Sequence, residues 1–139
     1  MEEKTTYVVP AFGYEIIRDY LLSSILGKHE AEILYWAGKD LARKFPLFSM
    51  DEAHAFFKEA GWGELYLEKE SKNEAIYHLV SESTPLNINE RCFRLEAGFL
   101  AAQQEKNIGF MTECYNEKND KQNFVVFTLK WDLKEPIEG

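Results

Sequence analysis

The sequence predicts an α+β fold, a single two-layer domain in which helices pack on a four-stranded antiparallel sheet in the order αααββαββ. Three observations carry that prediction. The first is a change of apolar period, from helical spacing before Gly61-Trp62-Gly63 to alternation after it, where residues 65–69 and 75–81 read as strands joined at Ser71-Lys72-Asn73. The second is a return to helical spacing after Asn87, which sets Ile88, Cys92, Leu95, Phe99 and Ala102 on one stripe at steps of four and three. The third is the closing alternation Val125, Phe127, Leu129 and Trp131, one face of a strand for that long helix to cover.

Residues 1–10 are polar and stop at Pro10, so they predict a lead-in segment or a short edge strand over 5–9. Residues 12–26 predict a helix with two apolar stripes, Phe12, Ile16 and Tyr20 on one and Ile17, Leu21 and Ile25 on the other. A cylinder cannot set both stripes against one small core. One is therefore expected to cover the body of the domain, and the other, assigned to Ile17, Leu21 and Ile25, to meet a second copy in a twofold homodimer.

Gly27-Lys28 interrupts the pattern, and a second helix follows over 30–45, stopped by Pro46. Its core stripe is Ile33, Leu34, Ala37, Gly38, Leu41 and Phe45, and the small pair Ala37-Gly38 lets another backbone come close. Trp36 falls outside the stripe, either laid across a neighbouring helix or serving as an interface anchor. Ser49-Met50-Asp51-Glu52 has the pattern of a capping box and opens a third helix over 50–60, which Gly61 stops. The long helix takes Asn87 or Asn89 as its cap and ends at Asn107-Ile108-Gly109. The last two strands occupy 110–115 and 123–132 around a polar loop at 116–121, and residues 134–139 read as a frayed tail of the one domain that spans 1–139.

A chain of 139 residues with 45% hydrophobic and 14% aromatic content buries a core without staples. Its formal net charge of −8 repels phosphate backbones and anionic membrane surfaces, so neither nucleic acid nor a membrane is an expected partner. Met1-Glu2-Glu3-Lys4 lacks the basic and apolar regions of a signal peptide and no apolar run approaches a membrane span, which points to the cytoplasm. Cys92 and Cys114 are too few for a disulfide framework and do not form a CxxC pair, so they read as buried thiols.

Dinucleotide, Walker, zincin, nucleophile-elbow and EF-hand motifs are absent from the sequence. His29, His54 and His78 sit on three different elements without ligand spacing. Glu96 and Gln103 alone break a local rule, for they lie two turns apart on one line inside an apolar face. A carboxylate there must pair, be protonated, or look into a cavity. Either Glu96 reaches solvent or an arginine between two buried stripes, or Cys92, Glu96, Phe99 and Gln103 line an apolar pocket between the long helix and the sheet.

Cys92-Phe93-Arg94-Leu95-Glu96-Ala97-Gly98-Phe99-Leu100, followed by Phe110-Met111-Thr112-Glu113-Cys114 and Phe124-Val125-Val126-Phe127, resembles the closing half of the 4-vinyl reductase domain. The small-residue helix over 31–45 is similar to the helical half of the same superfamily, which includes TRAPP transport-particle subunits and haem nitric-oxide sensor domains. As a whole the chain looks most like the bacterial YslB-like family. The resemblance implies a small α+β module, often dimeric, used for binding or assembly rather than turnover. The cysteines that serve some of these relatives as metal or cofactor ligands would fall near Asn116 and Val125, which are not thiolates, and no cofactor or metal is expected. Two functions follow as expectations: a non-enzymatic, homodimeric module that binds an apolar small molecule or assembles with protein, and an enzyme or accessory subunit acting on a hydrophobic substrate with Glu96 as acid/base.

Overall fold

In the computed structural model, which describes residues 10–82 and 86–137, the helical half of the chain comes first. The expected strand over 5–9 lies outside the described residues. Residues 11–26 form one continuous helical arm built from α1 (Ala11–Glu15), a π-helical turn (Ile16–Leu21) and α2 (Leu22–Leu26). Gly27, at φ +59°, turns the chain into α3 (Glu30–Lys44). The capping box forms as its residue types require: Glu52 Oε1 accepts from Ser49 N at 3.1 Å, and a 3₁₀ turn (Met50–Glu52) leads into α4 (Ala53–Glu59).

Strands β1 (Glu64–Glu70) and β2 (Glu74–Val80) make the first hairpin, closed by Ser71 N donating to Glu74 O at 2.8 Å. Helix α5 (Arg94–Ile108) then crosses to the second hairpin, β3 (Phe110–Asn119) and β4 (Phe124–Pro136). All pairings are antiparallel and the sheet order is β1-β2-β4-β3, so the two hairpins join through β2 and β4. Val125, Phe127, Leu129 and Trp131 are buried on the helical side with Ala75, Tyr77 and Leu79, as the period-two pattern predicts. Phe99 of α5 stacks on Phe56 at 4.5 Å, while Phe57 and Trp62 meet its ring edge-on.

Helix α5 packs against the sheet and against α3. At the α3–α5 crossing the backbones touch: a Cβ on Gly38 would run into the Leu95 carbonyl, and one on Gly98 into the Tyr35 carbonyl. That close approach holds α3 on a narrow line of Leu34, Gly38 and Ala42, four residues apart. Ile33 and Phe45, expected in the core stripe, are therefore exposed, as is Trp36.

Three boundaries differ from expectation. Helix α5 begins at Arg94 rather than near Asn87, because Glu90 N and Arg91 N both donate to Asn87 O and fold 87–91 into a separate turn. The expected loop at 116–121 is largely strand, since Asn116 pairs with Phe127 and Asn119 with Phe124, leaving a tight turn with Asn123 at φ +58°. Strand β4 continues past Lys134, where fraying is expected, to Pro136, held by the pairing with Phe110 and by Ile137 N donating to Gly109 O at 2.9 Å. Among the described residues no helix is long and apolar enough to cross a membrane.

Candidate functional site

The residues that the arm at 11–26 buries most deeply are charged, while of its apolar residues Tyr14, Leu22 and Leu26 are only partly buried. Arg18 and Asp19, 3% and 4% exposed, are its buried residues in the π-helical turn. A π turn holds more residues than an α turn, which narrows the angle between neighbouring side chains and lets both members of the pair face inward. Arg18 Nη2 donates to Glu96 Oε1 at 2.5 Å and to Cys92 O at 3.0 Å, and its Nη1 donates to Tyr14 Oη at 2.7 Å. Asp19 is gripped by one edge of Arg91, Nε to Oδ1 at 2.7 Å and Nη2 to Oδ2 at 3.1 Å, and takes a third bond from Asn87 Nδ2 at 2.9 Å. The Arg91 guanidinium also lies over the Tyr14 ring, 5.1 Å from its centre.

The signs cross over: the arm offers Arg18 then Asp19, and the body answers with Glu96 and Arg91. The four charges sum to zero in a place that water does not reach. Burial opposes the charge on Arg18, but the Glu96 carboxylate and the Tyr14 hydroxyl outweigh it and hold the guanidinium above its ordinary range. Burial, ahead of the opposing pull of Arg18, raises the Tyr14 hydroxyl. Three buried atoms of this clasp, Arg18 Nε, Arg91 Nη1 and Glu96 Oε2, have no hydrogen-bond partner among the described residues.

The outside of the arm is the reverse. Positions two away from the buried pair lie near the far side of a helix. Those positions are Ile16, Ile17, Tyr20 and Leu21, and all are exposed. Of the expected interface stripe, Ile17 is 55%, Leu21 49% and Ile25 68% exposed. The other stripe, Phe12, Ile16 and Tyr20, is expected to cover the body and does not: the body side of the arm is taken by Arg18 and Asp19, and these three are exposed as well.

The four residues expected to line a pocket meet three different surroundings. Glu96 is fully buried against Arg18, as the arginine alternative requires. Cys92 is half-buried and gives its carbonyl to Arg18; burial foremost pushes its thiol up and keeps it protonated. Phe99 belongs to the aromatic cluster of the core. Gln103 finishes the end of α3, accepting from Leu47 N at 3.1 Å and donating to Phe45 O at 2.9 Å and Ala42 O at 3.4 Å. Among the described residues are four open clefts; the largest of these, about 660 Å³, is on the outer sheet side beside Met111, Tyr115 and Leu133. Gln103 borders one of about 420 Å³, while Cys92, Glu96 and Phe99 border none of the four.

Sequence reasoning singled out Glu96 but missed Tyr14, Arg18, Asp19, Asn87 and Arg91. The available signal was the adjacent pair Arg18-Asp19 inside an apolar helix, opposite in sign to Glu96 and Arg91. It also missed Arg94, which stacks 4.2 Å from the centre of the Tyr35 ring and donates to Cys114 O and Asn116 Oδ1 at 3.0 and 2.7 Å. Tyr35 Oη in turn accepts from Cys114 N, and Glu105 Oε1 accepts from Thr112 N. These side chains satisfy backbone groups of β3, an edge strand that would otherwise offer them to another chain. Asn116, at the ligand position implied by resemblance, is thus committed to Arg94. Burial pushes the Cys114 thiol far up. His54 Nδ1 donates to Leu65 O at 2.8 Å, and among the described residues no three His, Cys, Asp or Glu side chains converge as a metal-binding group.

Residues 11–130 match the family described as "Protein of unknown function (DUF2507)". The chain is 42% identical over 130 residues to the protein of Bacillus subtilis (strain 168) described as "Uncharacterized protein YslB", covering 91% of this chain and 88% of that one. Among solved structures it is similar to a vinyl-4-reductase family protein from Methanocaldococcus jannaschii, with TM-score 0.60, 16% identity and coverage of 91% and 83%. It is also similar to a trafficking protein particle complex subunit 3 from Naegleria fowleri covalently bound to palmitic acid, with TM-score 0.53, 14% identity and 92% coverage of each chain. An H-NOX family structure that addresses heme distortion matches at TM-score 0.56 and 16% identity, over 96% of this chain and 77% of that one. At these identities the structural likenesses show a common fold.

Proposed function

We propose, from the premise that this chain belongs to the DUF2507 family, that it is a non-enzymatic assembly module whose helical arm meets a second copy of itself. The observation that carries the reading is the inverted arm, with Arg18 and Asp19 buried and Ile16, Ile17, Tyr20 and Leu21 exposed. An apolar helix face turned to water is the kind of surface that soluble chains cover with a partner. A second copy suits it better than an unrelated acidic surface. The chain carries a net charge of −8, yet these four side chains are uncharged, so two copies can meet there without opposing like charges. A twofold contact also closes on itself.

The enzyme reading, with Glu96 as acid/base, draws no support from the geometry: Glu96 is enclosed with Arg18, and a general base must reach a substrate proton. The likeness to a trafficking-complex subunit agrees with assembly, by analogy of fold. Sedimentation velocity at micromolar concentration tests the proposal. The unmodified chain is expected to be a dimer, and Leu21→Asp a monomer with an unchanged circular dichroism spectrum. A monomeric unmodified chain would overturn the reading.

A further inference from the structure

Resting on the dimer reading above, we infer that Arg18, Asp19, Arg91 and Glu96 are positioning residues that lock the rotation of the arm, and so decide that its apolar face is presented to the second copy. A helix laid on a domain normally rolls until its apolar side is covered. Here that roll is open to the arm in principle, and it would bury Ile16, Ile17, Tyr20 and Leu21 against the body.

The clasp forbids it. Rolling the arm away would leave Glu96 and Arg91 as buried charges without counterions, which costs far more than an exposed ion pair is worth. Sliding is blocked by sign: Arg18 answers Glu96 and Asp19 answers Arg91, so moving the arm by one residue sets like charges together. Tyr14 reads the same register twice, through its hydroxyl on Arg18 and its ring beneath Arg91.

The clasp is poorly suited to stability alone. Three of its buried atoms lack partners among the described residues, and buried ion pairs can often be replaced by apolar groups of similar size without loss of stability. What apolar replacements cannot supply is one preferred rotation. Orientation is therefore the property for which the charges are required.

The experiment removes one whole pair, Arg18→Met with Glu96→Leu, so that no charge is stranded, and compares it with the unmodified chain and with Leu21→Asp. The double variant is expected to unfold at the same or higher denaturant concentration while its dimer dissociation constant rises at least about tenfold. Amide exchange over residues 11–26 is expected to quicken while that of α5 and the sheet does not. A role in folding alone predicts instead that stability and dimerisation fall together. Should the double variant not fold, Glu96→Gln, which leaves Arg18 without its counterion, is expected to weaken the dimer in the same direction and to quicken amide exchange over residues 11–26 more than that of the sheet. A dimer that is sensitive to Leu21→Asp but unchanged in both clasp variants overturns the inference alone. An unmodified chain that is monomeric, or a dimer indifferent to Leu21→Asp, overturns the assembly reading and the inference with it.

Discussion

Helix α5 holds two other helical elements by opposite means. It holds α3 through Gly38 and Gly98, where two backbones touch and no side chain intervenes. Two residues before Gly98, Glu96 holds the arm through Arg18, by charge and at the reach of long side chains. The first attachment depends on shape: it excludes a methyl group and tolerates no displacement. The second depends on sign and hydrogen bonding. Its strength is small for the number of groups committed, because desolvation offsets most of the Coulomb attraction. The difference teaches that burial does not rank attachments, since Gly98 and Glu96 are both buried. One fixes distance and the other fixes rotation.

The largest effect is expected at the shape-dependent contact. Gly98→Ala should cost about 3 kcal/mol, since the new Cβ meets the backbone carbonyl of Tyr35, which cannot turn aside as a flexible side chain can. The gain of about 1 kcal/mol in helix propensity does not offset it. Urea unfolding checks this, and an unchanged midpoint would show that α3 and α5 are loosely apposed. Gln103→Ala should follow at about 2 kcal/mol, because it strands Leu47 N and the Phe45 carbonyl at the end of α3. An unfolding curve within error of the unmodified chain would mean that water replaces the amide there.

Both of those contacts were partly legible in the sequence, and the clasp was not. Ala37-Gly38 stands out because a small pair inside a helix lets another backbone come close, whereas Gly98 enters only within the motif that resembles the 4-vinyl reductase domain. Glu96 and Gln103 stood out because each broke an apolar face. Their partners stayed hidden: Arg18 is 78 positions from Glu96, and nothing local in either helix specifies that separation. The arm also misled periodicity, since its many apolar residues outvote two charges in any account of which side faces in, and a π turn leaves no mark in an apolar pattern. The start of α5 differs from expectation for a related reason. Asn87 has the chemistry of a helix cap but spends its side chain on Asp19, across the domain.

Two tyrosines sharpen the comparison, Tyr14 in the clasp and Tyr35 beside the glycine crossing. Burial is the foremost cause of a raised hydroxyl in each, so both should lose their protons later than the ordinary tyrosine value of about 10 in an ultraviolet absorbance titration. In linkage terms a raised folded value means that the stabilisation is complete below the unfolded value. It is lost as pH rises through the folded one, because the unfolded chain gives up its proton first. Tyr14→Phe should remove one late-titrating group and loosen the arm by about 1 kcal/mol through the lost bond to Arg18. Exchange over residues 11–26 measures that loosening, and an unaltered rate would show that the hydroxyl is not part of the lock.

The smallest effect concerns salt, and its sign separates the clasp from the face that it presents. The clasp pairs are shielded from solvent, with side-chain exposures of 3% and 0% for Arg18 and Glu96 and 1% and 0% for Arg91 and Asp19. Mobile ions do not enter such a place, so the arm should remain docked as ionic strength rises. Contact between two copies is different. In the proposed dimer each copy would bring a net charge of −8 to a meeting made by uncharged side chains, and long-range repulsion would be the electrostatic force between them. Salt screens repulsion and leaves apolar burial intact. The dimer should therefore tighten modestly between low and high sodium chloride concentration, as read by sedimentation across a dilution series. An interface built on ion pairs would weaken over the same range. Weakening would place the contact on a charged surface away from Ile17, Leu21 and Ile25, whereas tightening that disappears in Leu21→Asp ties the effect to the arm.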